Sequence, residues 1–249
     1  MTPNRAVAFA MVAAVPGLAV MPGARAAVPP SRGTACGQPR AASLDYMRKV
    51  TGMVRRLGVA SSYPVRTQLL IQPEAASLVV AGKDIYGRSL RLAPGAAAAY
   101  RKMVASAARD GVVLETVSGY RSARYQMHLV EEKLHHGLTL RAALRENTAP
   151  GFSEHQTGCA VDITTPDTTP VDASFAGTRA YHWLSKHAAR FGFRLSYGPH
   201  NGHGIEFEPW HWRYVGSTVS TPSVSAIAGA SMAGSIDRRQ QAGFSGGKK

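Results

Sequence analysis

Acidic side chains are scarce in this chain: 15 Asp and Glu stand against 29 Lys and Arg, and none occurs before Asp45. Cysteine is scarcer still. Cys36 and Cys159 are the only two in 249 residues, which excludes a zinc cluster built from cysteines alone. They could pair in an oxidising compartment, but sequence does not show whether they come close enough. Dense Lys/Arg runs interleaved with aromatics are missing, so nucleic acid is the weakest of the anionic partners a basic chain suits. Beyond the first residues no stretch is long and apolar enough to span a membrane, and no internal repeat is present.

What is present begins with an export pattern. Arg5 gives a positive start, and residues 6–14 are apolar. Residues 15–21 extend that run, interrupted by Pro16 and Gly17, and Ala24-Arg25-Ala26 offers small residues where a signal peptidase reads. Cleavage after Ala26 is expected, placing the chain in the periplasm, cell wall or extracellular space with no stable membrane span. Removing residues 1–26 takes away two bases and no acid, so contact with anionic wall polymers suits what is left. Residues 27–42, with Pro29, Pro30, Gly33, Gly37 and Pro39, read as a linker. Residues 216–249, rich in Ser, Gly and Ala, read as a disordered tail.

The apolar fraction of 45% suffices for a packed core in residues 43–215. Helical spacing runs from Leu44 to Leu57 and from Ala123 to Leu134. Pro94 to Arg109 is Ala-rich, opened by Pro and closed by Gly111. Thr139 and Thr178 are placed to cap helices reaching Arg145 and Phe191, the latter ended by Gly192. Leu69 to Ile71, Leu78 to Val80, Val112 to Val117, Ala160 to Ile163, Phe193 to Tyr197 and Ile205 to Val215 read as strands. Strands adjacent late in the chain predict an antiparallel sheet with helices packed beside it, an α+β fold.

Chemistry concentrates in three segments. In Ser153-Glu154-His155-Gln156-Thr157-Gly158-Cys159-Ala160-Val161-Asp162, His155 and Asp162 carry good zinc donors. A turn at Gly158 followed by a strand would let them converge. In Glu208-Pro209-Trp210-His211-Trp212-Arg213-Tyr214, His211 would supply a third ligand and leave zinc's fourth position for water. Glu208 would then be the general base. Residues three apart on a regular strand face opposite ways, so a bulge or twist at Pro209 is expected. In Ser118-Gly119-Tyr120-Arg121-Ser122, Arg121 sits at a strand-to-helix junction, where a guanidinium can hold a carboxylate or an oxyanion. Gln126 would support it by hydrogen bonding. His182, His187, His200 and His203 lack matched spacing and read as surface or loop residues, and Glu154 reads as solvated.

The patterns S-G-Y-R-S-x-x-x-Q, S-x-H-x-x-G-x-A-x-D and E-x-W-H-x-x-Y, in that order, resemble those of the VanY-type D-alanyl-D-alanine carboxypeptidases of the zinc D,D-peptidase superfamily. The similarity runs from about Leu69 to Gly216. It implies a small antiparallel sheet flanked by helices, with the zinc site on the sheet (a D,D-peptidase/hedgehog-like fold). It implies His155, Asp162 and His211 as Zn2+ ligands, Glu208 as catalytic base, and Arg121 and Ser153 as substrate contacts. Tyr120, Gln126, Trp210 and Tyr214 would complete the substrate site. The implied activity is removal of the terminal D-Ala from peptidoglycan stem peptides ending in D-Ala-D-Ala. An endopeptidase of the same superfamily, or a zinc-bearing wall-binding module without turnover, are the rival readings. Cys159 departs from the pattern, where an aliphatic residue is expected.

Overall fold

A computed structural model of the chain describes Cys36 and residues 41–216. The expected signal segment, most of the expected linker and the tail expected beyond 216 lie outside the described residues.

Helix α1 (Leu44–Arg56) is capped by Ser43, whose hydroxyl accepts from the Tyr46 N–H; Asp45 sits in its first turn and Arg55 and Arg56 in its last, matching the helix dipole. A short helix, α2 (Tyr63–Thr67), follows. Strands β1 (Val79–Lys83) and β2 (Ser89–Leu92) form an antiparallel hairpin. Its turn is held by the Asp84 carboxylate, which accepts from the N–H groups of Tyr86 and Arg88. Helix α3 (Pro94–Arg109) buries Ala96, Ala97, Ala99, Tyr100, Met103 and Ala107, a small-residue face that lets it lie close to the sheet. After β3 (Glu115–Ser118), helices α4 (Ala123–His135) and α5 (Leu140–Glu146) are capped by Ser122 and Thr139. Strand β4 (Ala160–Thr164) precedes α6 (Arg179–His187), which Thr178 caps. A 3₁₀ turn, Ala188–Phe191, carries that helix on to Gly192 at φ 77°. Strands β5 (Phe193–Leu195) and β6 (His211–Tyr214) close the fold.

The main sheet has the order β3-β4-β6-β5, antiparallel throughout, and the fold is α+β as expected. Strand alternation divides it chemically. Val161 and Ile163 enter one core with Leu92, Met103, Leu184, Phe193 and Trp212. Asp162 and His211, directly paired in the register, share the other face. A second core joins Val50, Val130, Ala143, Phe152, Tyr197 and Ile205, and its Tyr197 ring lies 4.8 Å from that of His211.

Four expected strands change, and Val112 to Val117 is one of them, found as Glu115–Ser118. Residues 69–71 form none; the segment instead runs beside the 151–156 loop, Gln72 N–H donating to Gly151 O and Ala75 N–H to Gln156 O. The last strand begins only at His211, because Glu208 to His211 is a turn closed by His211 N–H donating to Glu208 O. Phe193 to Tyr197 shortens to Phe193–Leu195. Cys36 and Cys159 form a disulfide, with Cα atoms 5.8 Å apart. Among the described residues no helix is long and apolar enough to cross a membrane.

Candidate functional site

His155 lies in a 3₁₀ turn, Glu154–Thr157, that ends at Gly158 with φ 69°. A side chain at Gly158 would meet Leu78 Cδ2 at 2.8 Å and the Ala93 backbone nitrogen at 2.9 Å, so the left-handed turn requires glycine here. That turn delivers the chain into β4, and the register sets Asp162 beside His211.

The three side chains meet at one point. His155 Nε2 is 3.2 Å from Asp162 Oδ1 and 3.1 Å from His211 Nδ1, and His211 Nδ1 is 3.2 Å from Asp162 Oδ1. All three residues are buried. The outer ring nitrogens fix what the inner ones are. His155 Nδ1 lies 2.6 Å from Gly119 O, which can only accept, so it carries the hydrogen and leaves Nε2 a bare lone pair. His211 Nε2 lies 2.9 Å from Glu154 Oε2, which leaves Nδ1 facing inward. With both rings neutral, two imidazole lone pairs and a carboxylate oxygen would converge at hydrogen-bond distance with no donor among them, so a proton or a cation must join them. Such a cluster binds positive charge. Burial alone would lower His211, yet its hydrogen bonds to Asp162 and Glu154 raise it to about 10. Burial and the Arg121 charge hold His155 down at about 4. Burial opposes charge on Asp162, but His155, His211 and Arg121 pull its carboxyl well below the usual range. The spacing also fits a metal: tetrahedral zinc with bonds of ~2.0–2.1 Å separates its ligand atoms by roughly 3.3 Å. Among the described residues these three form the group of His, Cys, Asp and Glu able to hold a metal ion.

Glu208 approaches this point without joining it. The turn at Pro209, rather than a bulge within a strand, brings its Oε2 to 3.7 Å from His211 Nδ1, and burial pushes its carboxyl from 4.5 up to about 7. Arg121 NH1 lies 3.7 Å from Asp162 Oδ2. Buried polar atoms without a hydrogen-bond partner gather around the cluster: Ser118 Oγ, Arg121 Nε, Tyr197 Oη and Arg213 Nε. Groups of this kind are costly unless a ligand completes them.

The other expected contacts divide. Ser153 is buried and precedes the 3₁₀ turn, but its hydroxyl does not cap it. Gln126 makes no hydrogen bond to Arg121; its amide donates to Thr148 O, which holds the loop leading to Ser153, and its Oε1 has no partner. The Tyr120 hydroxyl is turned to Glu74. Trp210 packs partly against the first core, and its carbonyl accepts from Ile163 N–H. Tyr214 is not brought to the cluster: three residues along β6 from His211, its ring packs on Phe193 at 5.3 Å and lies near Gly95 and Gly192, on the core side of the sheet.

Glu154 corrects the reading as a solvated side chain. It is partly buried, bound to His211, Arg213 and Ser196, and these bonds hold its carboxyl low against the cost of desolvation. Arg213 was findable, since it lies two residues beyond His211 on the same strand face. The remaining histidines stay apart: His203 Nδ1 pairs with Thr67 O, and His187 packs on Trp183. A cleft of about 420 Å³ between the β1–β2 hairpin and α3 contains none of the cluster residues.

The family model described as VanY, D-alanyl-D-alanine carboxypeptidase, matches residues 89–217. A D-alanyl-D-alanine carboxypeptidase of Enterococcus faecalis is 36% identical over 126 residues, 47% of this chain and 45% of that protein. The putative carboxypeptidase YodJ of Bacillus subtilis is 37% identical over 130 residues, 50% of this chain and 46% of that protein. The chain thus spans about half the length of the curated relatives it matches. Among solved structures, the LdcB LD-carboxypeptidase superposes with a TM-score of 0.53 at 30% identity, over 58% of this chain and 71% of that one.

Proposed function

Because the chain belongs to the VanY family of D-alanyl-D-alanine carboxypeptidases, we propose that it is an exported zinc carboxypeptidase removing the terminal D-Ala from peptidoglycan stem peptides. The observation that carries this reading is the convergence of three lone-pair donors, His155 Nε2, Asp162 Oδ1 and His211 Nδ1, with a buried carboxyl and a guanidinium beside them. These three side chains would hold the zinc. The chemistry a zinc ion supplies at such a site is Lewis acidity toward the scissile carbonyl and toward water.

The chain's own groups do the rest. Glu208 takes a proton from the attacking water and returns it to the leaving amine of D-alanine. Its raised pKa suits both halves of that task near neutral pH. Arg121, with Nε unspent, stabilises negative charge on the reacting carbonyl oxygen or anchors the peptide carboxylate. The Ser153 hydroxyl hydrogen-bonds the same carboxylate. Gln126 acts through the loop it holds, and Trp210, next to His211 in the chain, walls the substrate site. Export rests on the pattern in residues 1–26, and residues 43–215 are taken as the catalytic domain. The excess of basic side chains favours association with anionic wall polymers.

The likeness to an LD-carboxypeptidase favours one second reading, hydrolysis of a terminal bond between an L- and a D-residue. Both are tested by incubating the zinc-loaded protein with a D-Ala-D-Ala-terminated pentapeptide and with an L,D-terminated tetrapeptide, beside a chelator control, and following products by mass spectrometry. Chelator-sensitive loss of one alanine from the pentapeptide supports the D,D reading. Loss from the tetrapeptide alone supports the second. Larger fragments indicate an endopeptidase, and no cleavage by folded, zinc-loaded protein removes the catalytic reading.

A further inference from the structure

Glu154 is the covalent neighbour of one cluster histidine and the hydrogen-bond partner of the other. The 3₁₀ turn sends the two successive side chains to different places: His155 into the cluster, Glu154 behind it to reach His211 from the far side. There its Oε2 accepts from His211 Nε2 at 2.9 Å and from Ser196 Oγ at 2.6 Å, and its Oε1 accepts from Arg213 NH1 at 2.6 Å. The side chain is 13% exposed, and both its oxygens accept hydrogen bonds.

The two histidines are therefore not equivalent. His155 leans on a neutral carbonyl, Gly119 O, and His211 on a full negative charge. An imidazole whose outer N–H faces a carboxylate is the more basic donor at its inner nitrogen, and its tautomer is fixed. Arg213, on the same strand face as His211, and Ser196, just past β5, hold Glu154 in place behind the ring.

We propose that Glu154 is a positioning residue, which locks His211 with its hydrogen on Nε2 and so sets the affinity of the His155–Asp162–His211 cluster for a divalent cation. This rests on the reading of that cluster as a zinc site. A purely structural Glu154–Arg213 ion pair would stabilise the fold equally with and without metal.

The test uses the full chain and its Glu154→Gln and Glu154→Ala variants. The zinc dissociation constant is measured by competition with a chromophoric chelator, the melting of chelator-treated protein by circular dichroism, and the tautomer of His211 by long-range ¹H–¹⁵N correlation on ¹⁵N-histidine-labelled, zinc-loaded protein. Zinc binding is expected to weaken by about 10–100-fold in both variants. Glu154→Gln is expected to fold but to melt below the parent before zinc is added, since one side of its amide faces a donor, and the parent's His211 should carry its hydrogen on Nε2. Glu154→Gln keeps the shape of the side chain and decides the matter if Glu154→Ala fails to fold. Its amide must present N–H groups either to Arg213 or to His211 and Ser196, so one side is always donor against donor. Zinc affinity within about twofold of the parent in the folded Gln variant overturns the proposal while leaving the zinc site standing; a His211 protonated on Nδ1 in zinc-loaded protein removes that nitrogen from the ligand set and overturns both readings. Failure of the parent itself to bind zinc overturns both.

Discussion

Replacing Glu208 by Gln should make the metal-free protein more stable and the zinc-loaded protein nearly inactive. Glu208 is buried and its carboxyl is raised from 4.5 to about 7. A group whose folded pKa lies above its unfolded one stabilises the fold only while protonated. That stability is complete below pH 4.5 and is lost as the pH rises through about 7. At about 1.4 kcal/mol per pH unit, the ionised side chain costs the metal-free fold about 3 kcal/mol above pH 8. Glutamine has a similar shape and does not titrate. The stability difference between variant and parent should therefore grow from near zero at pH 4 to about 3 kcal/mol in favour of the variant at pH 8. Urea denaturation of chelator-treated protein at the two pH values measures it. In the zinc-loaded protein the same change removes the proposed base, and turnover should fall ~10²–10⁴-fold. A variant no more stable than the parent at pH 8, or one keeping more than about a tenth of parental turnover, would refute the reasoning.

Three further outcomes are expected. His155→Ala and His211→Ala should each abolish stoichiometric zinc, read by mass spectrometry of acid-released metal after dialysis; a variant retaining one zinc per chain would exclude that residue as a ligand. Gly158→Ala should cost about 2 kcal/mol or more in urea denaturation, because the left-handed backbone at φ 69° and the 2.9 Å approach to Ala93 N penalise a side chain together; a loss under about 0.5 kcal/mol contradicts the turn. Cys36→Ser opens a loop of 123 residues, for which chain entropy sets a contribution of about 5 kcal/mol; an unchanged urea midpoint would show that the unfolded chain is not loosened by the cut.

Much of this molecule was legible where local chemistry decides. Pro94, the alanine run and Gly111 mark out α3 as it is found, Pro94–Arg109, and Thr139 and Thr178 cap the helices they were expected to cap. The convergence of His155 and Asp162 was legible because a glycine turn followed by a strand leaves few directions for either side chain. The failures all depend on what lies across space. Leu69 to Ile71 has strand composition, but the chain that follows it bonds a loop and not a strand, through the N–H groups of Gln72 and Ala75. Glu154 looks like any exposed acid beside a ligand, because nothing local says that Arg213, Ser196 and His211 will surround it. Tyr214 fits a site pattern, yet strand alternation relative to His211 sends it to the core side. Gln126 was expected to reach Arg121, and only the approach of Thr148 O explains where its amide goes.

The bond between Cys36 and Cys159 makes a ring of everything between them. Arg121, Glu154 and His155 lie on that ring, and Asp162, Glu208 and His211 hang from it. A protease cutting once inside the ring, at the exposed Val65–Arg66 step for example, separates no fragment: both ends stay tethered through Cys159, three residues before Asp162. A nicked molecule would migrate as one band until reductant is added and as two afterwards. Loss of intact chain on a reducing gel would therefore overstate loss of the assembled enzyme.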